Sequence, residues 1–141
     1  MWLLFALGSA FFAGITAVLA KLGIHGHDST LVTALRTSVV FLGAWIVAAI
    51  SIKGHFASEL AAISSHTYLF LFLSGLATGA SWLCYYRALQ EGPASVVVPI
   101  DKLSILVTVA FSALMLREHV SGRYLLGIAG MCAGAVLMVI G

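Results

Sequence analysis

Residues 96–107, VVVPIDKLSILV, set a proline, a carboxylate and an ammonium group inside a run that is otherwise apolar. On a helical wheel Asp101 is followed at intervals of three, seven and eleven by Ser104, Thr108 and Ser112, so the four share one face. Lys102 is turned roughly 100° away, toward Val98, Ile105 and Val109. A carboxylate at the end of a hydroxyl stripe has three uses: contact with a polar solute, binding of a coupling ion, or pairing with a cation such as Arg36. Ionisable groups at membrane depth face the interior and mark pathways. Ser74, Thr78, Ser81 and Tyr85 repeat the stripe at helical spacing. Two helices with matching stripes can face a shared, partly wet cavity, although lone hydroxyls in such helices also bond their own backbone.

Pro99 removes one backbone donor and frees a carbonyl a turn earlier, near Ser95. The spacing predicts a kink or a locally broken helix within a turn of Pro99, serving either a cavity or packing alone. Arg36 stands over a turn into its own apolar segment, where it either pairs with Asp101 or attracts an anionic group of a solute. Lys21 and Arg87 fall at segment ends, suited to snorkelling to the interface. Trp82, Tyr85 and Tyr86 cluster near the same end, as an interfacial belt or as a pocket wall.

Other chemistry is thin. His25-Gly26-His27-Asp28 reads as a solvated turn, so no metal is expected. Cys84 and Cys132 lie in apolar stretches and read as inert thiols. There is no Gly-rich phosphate loop, GxSxG or HExxH. The chain is therefore not expected to be an enzyme, and no cofactor is expected.

The elements that must position these residues follow from composition. The chain is 62% hydrophobic and 9% charged, with a mean hydropathy of +1.12. That leaves too little polar surface to face water all round. An integral, multi-pass membrane protein in contact with the lipid bilayer follows. A net charge of +2 without a basic run excludes a nucleic-acid partner. About 20 apolar residues cross a bilayer, and five segments qualify: 2–22, 31–52, 67–90, 94–116 and 124–140. The expected fold is all-α, a single domain over residues 1–141 built as a bundle of five transmembrane helices. No Lys or Arg precedes Lys21, so the first segment reads as a retained span rather than a signal peptide. Gly92-Pro93 stops one helix and starts the next, and Ser121 suits an N-cap.

Small residues recur at helical spacing, as in Gly75 and Gly79, and in Gly127, Gly130 and Gly134. In lipid they permit close helix packing, either within one bundle or across a homodimer through the fifth span. Five spans put the termini on opposite sides. Lys53, Arg117 and Arg123 then lie on one side, and Lys21, Arg36 and Arg87, with Lys102 deeper, on the other. So even a balance leaves orientation nearly unspecified, which suits dual insertion and an antiparallel pair.

The stretch from Tyr85 to Gly141 resembles the second half of an EamA-type domain of the drug/metabolite transporter superfamily. The resemblance rests on Tyr85/Tyr86, Arg87-Ala88-Leu89, Gly92-Pro93-Ala94, Pro99, Glu118 and Gly127. The opening WLLFALGSAFFAGITAVLAKLGI resembles the first span of such a domain, and PIDKLS resembles the short five-span bacterial and archaeal branch. The resemblance implies transport of small metabolites or drugs in a prokaryotic inner or plasma membrane. The first span carries no acid, unlike small multidrug-resistance relatives, which puts their cation antiport in doubt here. The expected function is secondary transport or export of a small-molecule substrate, with proton coupling as one mode. The pathway residues are Asp101, Lys102, Arg36, Ser104, Thr108, Ser81, Trp82 and Tyr85. The alternative is a non-transporting membrane scaffold or assembly subunit, which needs packing faces but no polar stripe beside a buried acid.

Overall fold

The computed structural model describes residues 1–52, 54–116 and 121–140. Lys53, Arg117 and Glu118, used above for topology and for the resemblance, lie outside the described residues. All regular elements among the described residues are helical: α1 (Trp2–Gly23), α2 (Ser29–Ser51), α3 (Phe56–Ala62), α4 (Ser65–Glu91), α5 (Ala94–Asp101), α6 (Ser104–Phe111), a π-helical turn (Ser112–Leu116) and α7 (Gly122–Ile140). Five segments are long and apolar enough to span a membrane: Trp2–Gly23, Ser29–Ser51, Ser65–Glu91, Ala94–Met115 and Gly122–Ile140. Their ends fall within two residues of the sequence-derived spans, because apolar runs in lipid must be helical to satisfy their own backbone.

The chain packs as two compact units. One comprises Met1–Lys21 with Glu91–Gly141, the other Leu22–Gln90. In the first unit α5 packs on α7, and the buried residues are Ala17, Ala20, Ile128 and Ala135. Three of these four are alanines, which let helix backbones approach closely. Lys21 does more than snorkel, since its Nζ donates to the Gly92 carbonyl at 2.8 Å in the turn before α5. In the second unit Ile24, Ser29, Thr33, Tyr86 and Leu89 are buried. A Cβ built at Gly75, Gly79, Gly127, Gly130 or Gly134 meets no atom of the described residues within 4 Å. Within each unit these positions therefore have open space beside them.

The connection between α1 and α2 turns at Gly26, whose φ of 78° favours glycine. Asp28 then caps α2, its Oδ1 accepting from the amides of Thr30 at 2.9 Å and Leu31 at 3.1 Å. These hydrogen bonds, Leu31 first and then Thr30, hold the carboxyl below its ordinary value of 3.8, with a smaller contribution from the charge of Arg87. A depressed folded pKa means that the cap's stabilisation is complete above 3.8 and fades as pH falls through the lower folded value. Acidification is therefore expected to loosen the first turn of α2 only below the ordinary carboxylate range. NMR of the Leu31 amide checks this: its shift should titrate in that acid range in the native protein and stay flat in Asp28→Asn, which still caps. Identical acid titrations in both would refute the cap's role.

The connection after α2, outside the five expected spans, contains a short helix. Gly54, at φ 84°, reverses the chain, and α3 follows. The Phe56 ring meets Trp45 at a tilt of 59°, with centroids 5.7 Å apart. Tyr68 Oη donates to the Leu60 carbonyl at 3.2 Å. Seven residues cannot hold a helix alone, so these anchors at its two ends make it.

Candidate functional site

Two polar assemblies emerge, one in each unit. In the second unit a groove of about 680 Å³ runs between α2 and α4. From α4 it takes Ser74, Thr78 and Trp82, with Gly75 and Gly79 keeping the floor open, and from α2 it takes Thr30, Thr33 and Thr37. The Thr33, Thr37 and Thr78 hydroxyls donate to backbone carbonyls one turn back, at 2.7, 2.7 and 2.9 Å. Their protons are thereby spent, and what they offer the groove is oxygen lone pairs. Half of the expected α4 stripe lines this groove; Ser81 and Tyr85 do not.

At one end of the same unit the Arg36 guanidinium lies over Trp82, 4.5 Å from the ring centroid, and 5.6 Å from that of Tyr86. These are cation–π distances. Tyr86 is 1% exposed and meets the Tyr85 ring edge-on at 5.9 Å. Trp82, Tyr86 and Gln90 recur at intervals of four on one face of α4. Gln90 Nε2 donates to the His27 carbonyl at 2.8 Å, tying the end of α4 to the α1–α2 turn. The buried side-chain polar atoms without a hydrogen bond among the described residues are Arg36 Nη1, Tyr86 Oη and Gln90 Oε1, and all three belong to this cluster. Arg36 also lines a second cavity of about 480 Å³, with His27, Leu31, Leu35 and Val39 among its walls.

In the first unit the fourth span is interrupted within a turn of Pro99. Helix α5 ends at Asp101 and α6 begins at Ser104. Between them the ladder tightens: Leu103 N–H donates to Ile100 at 2.9 Å, Ile105 to Lys102 at 3.2 Å and Leu106 to Leu103 at 2.9 Å. A stretch with three residues per turn keeps residues three apart in line, so Ser104 stays on the side of Asp101. Lys102 is not a lone cation on a separate face. Its Nζ reaches back to Asp101 Oδ2 at 3.2 Å. The side chains remain 55% exposed for Lys102 and 35% for Asp101. Thr108 donates to the Ser104 carbonyl at 3.2 Å, and Ser112 opens the π-helical turn.

Comparison with known proteins gives this arrangement its context. The EamA-like transporter family matches residues 1–140. The chain belongs to that family. A Sinorhizobium protein named "uncharacterized transporter in cobO 3′ region" is 44% identical over 139 residues, covering 99% of this chain and 96% of the relative. An uncharacterized protein of Methanocaldococcus jannaschii is 38% identical over 58 residues, covering 41% of this chain and 42% of its own length. No solved structure matches. The protein is thus an EamA-like transporter-family member with five membrane-spanning helices.

Within this EamA-like chain the sequence reading missed the α2 wall. Thr30, Thr33 and Thr37, at intervals of three and four, form a stripe as plain as that of α4. The π-helical turn had no such signal, because its residues, SALML, suit an ordinary helix.

Proposed function

We propose that this transporter-family chain moves a small polar or amphipathic metabolite or drug across a prokaryotic inner or plasma membrane as a secondary transporter or exporter, with proton coupling. Asp101 is the group that takes the coupling ion or the solute, with Lys102 as its exchangeable partner and Ser104 and Thr108 continuing the path. Arg36, Ser81, Trp82 and Tyr85 serve the solute from the α2–α4 unit. The observation that carries this reading is the fourth span, interrupted beside Pro99 with an ion pair at the interruption. A membrane scaffold has no need of either feature. The test is flux of a small-metabolite panel in proteoliposomes of the pure chain, with and without an imposed pH gradient. Saturable movement of at least one solute, altered by the gradient, is expected. No movement of any solute above protein-free vesicles would refute transport.

The working unit in this proposal is an antiparallel homodimer. The span glycines leave open space that a helix from a second copy would fill. The even distribution of Lys and Arg lets the chain insert both ways. Single cysteines placed near Gly26 and near Ser58 should each be labelled from both sides of the membrane in intact cells. Labelling from one side only at both positions would exclude dual insertion.

A further inference from the structure

We infer that the Arg36 cluster recognises the oxyanion of an amphipathic organic acid, a carboxylate carried on an apolar body. The inference rests on the transport reading above and names the substrate class of that site. Arg36 stands two turns into a membrane-spanning helix, where a guanidinium is costly unless its donors are used. Its rings, Trp82 and Tyr86, offset the charge through their faces but accept no conventional hydrogen bond. Nη1 is buried and has no acceptor among the described residues. Tyr86 Oη, on a side chain 1% exposed, is an orphan too. Of the two, Arg36 is the one on a cavity wall, and its guanidinium offers the charge-assisted bond that a carboxylate accepts. That cavity, about 480 Å³, is otherwise walled by Gly23, His27, Leu31, Val32, Leu35 and Val39; Tyr86 is not among its walls and bears on the site through its contact with Arg36. Such walls suit an apolar body and disfavour a second charge. The source of the oxyanion is a free solute and not a lipid headgroup in this assignment, because the orphan donors are buried while headgroup phosphates stay at the hydrated interface.

The experiment is equilibrium dialysis of the purified full chain in a maltoside micelle, which carries no phosphate. The probe is radiolabelled phenylacetate, challenged by its neutral isostere phenylacetamide or by short-chain phosphatidylglycerol. Phenylacetate is expected to bind saturably, with phenylacetamide and the lipid each at least about tenfold weaker as competitors. Arg36→Gln should weaken phenylacetate roughly ten- to hundredfold, the range of a lost charge-assisted bond. Arg36→Lys, which keeps the charge and loses the fork, should fall between, and Tyr86→Phe should weaken binding a few-fold. The lysine and phenylalanine variants keep the test alive where the glutamine variant does not fold. No saturable phenylacetate binding, equal competition by the amide, tighter binding of the lipid, or unchanged affinity in the Arg36 variants would each overturn the assignment. Flux is measured separately. If neutral solutes move while phenylacetate does not bind, transport stands and this site falls. If phenylacetate binds while no solute moves, the site stands and transport falls.

Discussion

Asp101→Asn is expected to lower solute flux roughly ten- to hundredfold, the range of a lost charge-assisted interaction, and to flatten its dependence on a pH gradient. Asparagine keeps the shape and some hydrogen bonding, so the change isolates the charge. It leaves Lys102 without its partner at 3.2 Å, at a point where the helix is already interrupted. Helix α5 contains eight residues, a rise of about 12 Å, so the pair stands that far along the fourth apolar span from its start. An uncompensated ammonium there is expensive, and Lys102→Gln in the Asp101→Asn background should recover folding yield but not flux. Normal transport by Asp101→Asn over roughly pH 5 to 8, at wild-type abundance in the membrane, would remove Asp101 from the mechanism.

Leu89→Ala is expected to destabilise the chain by about 2–4 kcal/mol. Leu89 is 0% exposed and stands with Tyr86 as the largest fully enclosed side chain of the described residues. In lipid the hydrophobic effect does not discriminate inside from outside, and the loss comes from contacts forfeited around a cavity. Leu42, on α2 and exposed, provides the contrast: Leu42→Ala exchanges a side chain facing outward and should cost little. Thermal unfolding of both variants in the same detergent decides it. Equal stability of the two would mean that the buried seam of the α2–α4 unit is not where the chain is held together.

The fold was legible for a simple reason. A bilayer allows few backbone solutions, so uninterrupted apolar runs and the Gly92-Pro93 punctuation locate the five spans almost without competition. Pro99 was readable only in part: the carbonyl freed by its missing N–H lies a turn earlier, near Ser95, whereas the interruption stands at residues 102–103, a turn later. Partnership was harder. The wheel puts Lys102 and Asp101 on different faces, yet a lysine side chain is long enough to reach back to its neighbour. The α4 hydroxyls were visible, but their groove is completed by Thr30, Thr33 and Thr37, and no single-helix pattern says which helix will stand opposite. Arg36 looked like a cation in want of a carboxylate. What it has instead is the face of Trp82, a contact set by tertiary packing that no local spacing specifies. Helix α3 was missed because its stability comes from Trp45 and Tyr68, residues in the flanking spans.

Counterflow tests the transport claim most directly. Proteoliposomes of the pure chain are preloaded with an excess of one unlabelled panel solute and diluted into a trace of the same solute labelled. A carrier that alternates its access exchanges inner for outer solute, so label accumulates above equilibrium and then declines. That transient overshoot is the expected result for at least one solute in wild-type vesicles, and it should vanish in Asp101→Asn. Label entering no faster than into protein-free vesicles for every solute, or rising only to equilibrium, would contradict the account.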